Sequence, residues 1–337
     1  MKKIYHLFIL FVLLSTSAQA QDPVFSQFFA HPQLLNPAFT GMAPAPRINI
    51  SYRNQWPALN AYQTYSVGVD HFFSDFNTGV GFYAMNDEQG QGLIKSTELK
   101  GLFSYQLRLN NDWRVKLGLE AGMGQKGFDW DSFIFLDQID AIDGVIVDVN
   151  GSAEQRPDQT TRNYFDISSG ILFSNRNFYA GFAVKHMNRP NNGIQGINER
   201  IVNGLPLLMS FQMGTEIRLN TRNKPRSRAF ISPNVLIIKQ ADFGQINVGS
   251  YLSAGLFYGG LWYRHAFSNP DAVIILLGFQ QGLIKFGYSY DATVSSLALA
   301  STAGAHEVSL AFRFDQTEGF KKKRKSARLN DCMNLFR

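Results

Sequence analysis

From Arg114 to Gly122 the side chains change character at every step. Val115, Leu117, Leu119 and Ala121 alternate with Arg114, Lys116, Gly118, Glu120 and Gly122. Leu207, Met209, Phe211, Met213, Ile217 and Leu219 likewise share a face opposite Gln212, Gly214, Glu216 and Arg218. Near the end, Val308, Leu310, Phe312 and Phe314 oppose Glu307, Ser309, Ala311 and Arg313. A period of two is the signature of a strand whose two faces meet different surroundings. Repeated along the chain, it predicts fourteen strands, beginning near residues 47, 63, 77, 95, 113, 163, 177, 206, 227, 245, 256, 271, 283 and 304.

A β-sandwich shows the same alternation, so the links between strands must discriminate. Those after the second, fourth, sixth, tenth and twelfth strands are tight: SDFN, LNND, SNRN, a turn at Ser253–Gly255, and QG. The eighth, NTRNKPRS, is slightly longer. Links after odd strands are mostly longer and include NDEQGQG, the segment from Gly127 to Arg162, and HMNRPNNGIQGINERIVNGL. Short turns at one end, longer loops at the other and an even strand number describe a transmembrane barrel. Closure leaves no unpaired edge, which matters because unsatisfied backbone groups are costly in lipid. The content of 29 Phe, 13 Tyr and 29 Gly suits such a wall. No other run reaches the roughly 18 apolar residues of a membrane helix. The fold class expected is all-β: a transmembrane antiparallel β-barrel of about 14 strands, with a non-regular N-terminal segment plugging the periplasmic mouth.

The ends divide the chain further. Lys2 and Lys3, the apolar run Leu7 to Leu14 and Ala18-Gln19-Ala20 have the order of a secretory signal peptide over residues 1–20. Residue 21 is Gln, so a lipid anchor on a new N-terminal Cys is not indicated. Residues 21–46 form the plug-like segment, 47–314 the barrel and 315–337 a basic tail. An even-stranded barrel that begins in the periplasm returns there, so both termini are expected to be periplasmic. The net charge of +6 belongs to the ends. The leader holds two positives and the tail seven basic against three acidic residues, leaving the body neutral. Nucleic acid is therefore not an expected partner. Lys321, Lys322, Lys323, Arg324 and Lys325 are candidates for contact with an acidic periplasmic surface. Cys332 is the single cysteine, so internal disulfides do not hold the fold.

Catalytic chemistry finds little support. Asp70-His71 and His306-Glu307 look like acid–imidazole pairs, but neighbours on a strand point to opposite faces. His71 falls on the face of Val67, Val69 and Phe73, a structural position at the membrane interface. His186 and His265 sit near external strand ends, where a barrel hydrolase would need an exposed His. No Ser–His–acid set or metal-ligand spacing accompanies them. Arg264 and Asp291 should point inward and pair. The aspartates at 131, 137, 140, 143 and 148 lack the spacing of a calcium loop and read as a solvated external loop. No catalytic residue, cofactor site or metal site is expected.

The segment QDPVFSQFFAHPQLLNPAFTG, Gln21 to Gly41, is the remaining oddity. It is rich in Phe yet has no regular period. Prolines at 23, 32 and 37 prevent a continuous helix, and Asn36-Pro37 followed by Gly41 favours turns. Phe25, Phe28, Phe29 and Leu35 are expected to pack into the periplasmic mouth or lower lumen.

That stretch, with SYRNQWPAL and YSVGVDHFF, resembles the PorP/SprF family of the type IX secretion system of Bacteroidetes. The residues carrying the resemblance are Asp22, Pro23, Phe25, Ser26, Gln27, Phe28 and Phe29, then Asn36, Pro37 and Gly41, then Tyr52, Arg53, Asn54, Gln55, Trp56 and Pro57. AGFAVKHMNRP, SPNVLIIK, GLWYR, FGYSYDATVSSL and GAHEVSLAFRF extend it to Phe314. His31 departs from it, standing where Asn is common, and the basic tail matches no motif of the family. The resemblance implies a non-enzymatic outer-membrane accessory that works with the translocon and periplasmic ring. It also implies support for secretion or surface anchoring of a cargo such as an adhesin, in connection with gliding motility. A passive, porin-like solute channel is the alternative.

Overall fold

A computed structural model describes residues 22–43, 45–140, 151–193, 204–219, 229–267, 269–294 and 302–314. The signal peptide, residues 141–150 of the Asp-rich loop, the basic tail and Cys332 lie outside them. The strands are β1 (Arg47–Gln55), β2 (Tyr62–Phe73), β3 (Thr78–Gln89), β4 (Ile94–Arg108), β5 (Arg114–Phe128), β6 (Thr161–Ser174) and β7 (Phe178–Lys185). They continue as β8 (Leu208–Thr215), β9 (Ile217–Arg218), β10 (Phe230–Gln240), β11 (Phe243–Ala254), β12 (Phe257–Ala266), β13 (Asn269–Gln281), β14 (Ile284–Thr293) and β15 (Ala305–Arg313). β8 and β9 both pair with β10 and are one strand interrupted at Glu216, so the wall has fourteen strands.

Every neighbour is antiparallel, and β1 pairs with β15 on one side and β2 on the other, which closes the ring. Among the described residues, register slips only at Arg264/His265, between β12 and β13. The outward side chains are the apolar set, with Val67, Val69, Phe82, Leu99, Leu119 and Leu277 exposed where hydrocarbon would cover them. The inward set is buried and largely polar, including Lys100, Lys116, Glu120, Asp166, Gln212 and Glu307, with an apolar patch of Leu236, Ile238, Tyr251, Trp262, Ile274 and Leu276. The usual burial rule is thus inverted, as a wall between lipid and a polar lumen requires. Asp70 points inward and His71 outward, where its ring meets Phe73 at 4.6 Å.

The short links cluster at one end, here the short-turn end, which also receives the start of β1 and the end of β15. Loop length sorts less cleanly than the alternation suggests. β3 and β4 run through most of NDEQGQG and leave only residues 90–93 between them. At the long-loop end, β10–β11 and β12–β13 are also joined by just two residues each.

Candidate functional site: the occupied lumen

Residues 22–43 run inside the barrel. Two short 3₁₀ turns, Pro32–Leu34 and Pro37–Phe39, are their only helical structure. Proline at the first position of each presets the backbone angle where no amide partner is needed. Asn36 caps the second turn by accepting from the Ala38 N–H at 2.9 Å, while its Nδ2 donates to the Ile171 carbonyl of β6 at 3.2 Å. Ala38 itself lies against Gly118 of β5, where an added Cβ would stand 2.2 Å from the Ala38 nitrogen. Gly170 makes the same kind of room for Asn36, and Gly68 for the His31 ring.

At the long-loop end a buried ionic cluster grips the start of the segment. Glu307 accepts the N–H groups of Ser26 (2.7 Å) and Gln27 (2.9 Å) and pairs with Arg53 at 3.1 Å. Ser26 Oγ donates to Asp291 at 2.6 Å and accepts from Arg53 at 2.8 Å and Arg264 at 3.2 Å. Arg264 in turn bonds Asp291 at 3.0 Å and also pairs with Asp271. Gln27 is held through its side chain as well, donating to Ser289 and the Glu307 carbonyl and accepting from Ser309 at 2.6 Å. Such charge-assisted bonds are the stronger class. Asp22 meets His186 Nε2 at 2.5 Å, and His186 Nδ1 meets Asp166 at 3.0 Å. Burial opposes the charged imidazole, but the two carboxylates outweigh it and push the His186 pKa up.

Midway, Phe28 packs edge-on to Trp262 (4.9 Å between centroids) and Phe29 to Tyr251 (4.3 Å), with Leu35 and Phe39 in the same apolar cluster. Phe25 is buried too. Lys185 donates to the Leu34 carbonyl at 3.0 Å and pairs with Glu120 at 3.4 Å. His31 Nδ1 lies 2.8 Å from Ser66 Oγ. At the short-turn end, Lys116 donates to the carbonyls of Thr40 (2.5 Å) and Gly41 (3.1 Å). The Gly41 N–H donates to Asp70 at 2.7 Å, and Asp70 is paired with Arg47 at 3.0 Å. Gly41 has φ +67°, and a Cβ added there would meet the Gly79 backbone, two reasons for glycine at this position.

The segment therefore spans the lumen from rim to rim. The sequence places it at the periplasmic mouth and lower lumen, yet Asp22, Ser26 and Gln27 lie among long-loop-end residues. Of the described residues, only Thr40 to Ala43 and Ala45 sit at the short-turn mouth. The reason is electrostatic: Glu307, which accepts the Ser26 and Gln27 amides, and Asp291, which accepts the Ser26 hydroxyl, project near the long-loop rim.

The signature residues are only partly brought together. Ser26, Gln27 and Arg53 meet in one cluster, with Asp22 and Asn36 anchored elsewhere along the segment. Pro23 lies beside Asp22, and Pro37 starts the second turn. Tyr52 and Asn54 are on the outer face, Tyr52 stacked near Tyr65 at 4.8 Å. Gln55 accepts from Arg53 at 3.1 Å; Trp56 and Pro57 open the first loop. Lys321, Lys322, Lys323, Arg324 and Lys325 lie outside the described residues. Of the histidines weighed for hydrolysis, His186 is engaged by two carboxylates, while His265 stands beside Tyr263. Of the loop aspartates, Asp131 pairs with Arg156 and Asp137 accepts from Ser152 and Ala153. Asp143 and Asp148 are outside the described residues. Among the described residues no cluster of three metal-ligating side chains occurs.

Sequence reasoning missed Lys116, Lys185 and Glu307 as partners of the segment, and Lys100, Glu120 and Asp166 as the charges behind them. Their signal was present: inward positions carrying charge and glycine beside one another.

Fold and lumen together define a membrane β-barrel that carries its own N-terminal segment inside. The chain belongs to the PorP/SprF family, described as type IX secretion system membrane proteins, whose model matches residues 17–312. It is thus an outer-membrane component of that system. No curated protein sequence matches it. Solved barrels are similar only in outline. The KdgM porin is 7% identical over 80% of this chain and 99% of its own, with a TM-score of 0.37. BamA from Haemophilus ducreyi lacking POTRA domains 1–3 is 9% identical over 80% of this chain and 70% of its own, with a TM-score of 0.39. A Rh. blastica porin mutant gives 7%, 80%, 98% and 0.33.

Proposed function

We propose that the chain is a non-enzymatic accessory of type IX secretion that supports export or surface anchoring of a partner protein such as an adhesin. In this reading the short-turn end faces the periplasm, where the basic tail and the turns meet secretion components, and the long loops face outward to the cargo. The observation that carries it is the lumen segment, bonded at both rims and through the middle. A solute channel has no use for an interior this thoroughly engaged by its own chain. The segment closes the barrel and leaves its two ends as the working surfaces. Deleting the gene should lower secretion or surface retention of at least one C-terminally signalled cargo, read by mass spectrometry of medium and cell surface. Normal handling of every such cargo would sink the proposal. Large, steady conductance of the full-length protein in planar bilayers would favour the channel instead.

A further inference from the structure

At the long-loop end the segment forms the floor of an open vestibule. Its volume is about 390 Å³, inside the roughly 300–1,000 Å³ range of small-ligand sites. Asp22, Pro23 and Val24 lie at the bottom, with aromatic walls from Trp56, Tyr62 and Phe243 and polar walls from Asp87, Gln89 and Gln245. We propose that this vestibule binds a short neutral oligosaccharide.

The arginines and Asp22 at the site are already matched: Arg264 is paired with Asp271 and Asp291, Arg53 with Asp291 and Glu307, and Asp22 with His186. An anionic ligand would have to displace one of these buried partners, whereas a neutral one adds to them. Asp87 makes no ion pair among the described residues and stands as an acceptor. The groups that face the space are planar acceptors and amides. Asp87 accepts from Thr64 at 2.7 Å through one oxygen and from Gln89 at 2.9 Å through the other. This fixes both side chains and leaves lone pairs on the carboxylate and on the Gln89 amide oxygen for hydroxyl donors. Gln245 is buried, and its amide nitrogen has no partner among the described residues. A buried donor of this kind calls for an acceptor.

The aromatic wall supplies the other half. Sugar rings present a C–H face to an aromatic π-system and hydroxyls to planar polar groups, and both are offered side by side. Trp56 is held at φ 57°, a left-handed conformation that a bulky residue adopts only under constraint. Its N–H is tied to the Gly304 carbonyl at 2.8 Å, and its ring stands edge-on to Tyr62 at 5.7 Å. Strain retained at a pocket wall is the pattern of a functional position. A peptide would be the other neutral candidate, but the walls present no unpaired strand edge for main-chain pairing, since β1, β2, β3, β11, β12 and β13 are all paired on both sides.

The site depends on the lumen segment and not on any role in secretion, so purified protein tests it alone. Full-length protein in nanodiscs is titrated calorimetrically with maltotriose, cellotriose and mannotriose. At least one should bind with a dissociation constant at or under about 1 mM. Trp56→Ala and Gln89→Ala should each weaken it by about tenfold or more, and Trp56→Phe should restore most of the loss. Retained heat-modifiable migration shows that each variant is folded, and Gln89→Ala decides if Trp56→Ala is not. Absence of binding by all three sugars overturns the proposal. So does equal binding of trialanine or inorganic phosphate, or an affinity unchanged in folded variants.

Discussion

The two faces of the barrel wall obey opposite kinds of rule. On the outside, Leu119, Leu99 and Val67 meet a fluid apolar phase that accepts any apolar shape, so character alone is specified. On the inside, Glu307, Asp70 and Gly118 meet one particular segment, and each position is set by a named partner: two amide N–H groups, the Gly41 N–H, the Ala38 backbone. Desolvation explains the difference. A misplaced methyl on the lipid face is covered by the next acyl chain, but an inward charge that loses its partner stays buried without one.

The strongest way to break this contrast is to remove the segment. Deleting residues 22–43 should take the segment's amides, hydroxyl and carbonyls away from Glu307, Asp70, Asp291 and Lys116 and lower the temperature of heat-induced unfolding on gels by tens of degrees. It should also raise single-channel conductance in bilayers. An unchanged melt and conductance would show that the inner face needs no partner. Next in size, Glu307→Ala removes the acceptor of two backbone amides and one arginine. The expected cost is about 3–5 kcal/mol by denaturant titration, the scale for breaking a buried ion pair. The outward control Leu119→Ala should cost far less, because lipid fills the space.

Smaller again is Gly118→Ala, whose methyl would press on the Ala38 backbone. A loss of roughly 1–3 kcal/mol is expected for overpacking a site that cannot relax. Gly101, where an added Cβ would have only one atom near it, should tolerate the same change.

The strand pattern was legible because it is local. Alternation at Arg114 to Gly122 follows from the direction of successive Cβ atoms, and all fourteen expected strand starts fall within three residues of those observed. Opposite orientations for Asp70 and His71, and for His306 and Glu307, come from the same rule. Loop sorting was only partly legible, since 241–242 and 267–268 are as short as any turn at the other end. The family signature located the segment but not its course. Its motifs DPVFSQ and YRNQWP turned out to touch, through Ser26 and Arg53, with no hint of this in either spelling.

By itself, then, the sequence determined an even-stranded membrane barrel, its lipid-facing residues and its kinship, since each depends on residues two apart or on short ordered motifs. Tertiary structure alone decided where Asp22 to Gly41 goes. Ser26 and Glu307 are separated by 281 positions along the chain. Only closure of β15 onto β1 brings Glu307 beside Arg53, and only inward glycines such as Gly118 and Gly170 open the space the segment occupies. A partner chosen across a closed lumen is a property of three-dimensional charge and volume, which no periodicity records.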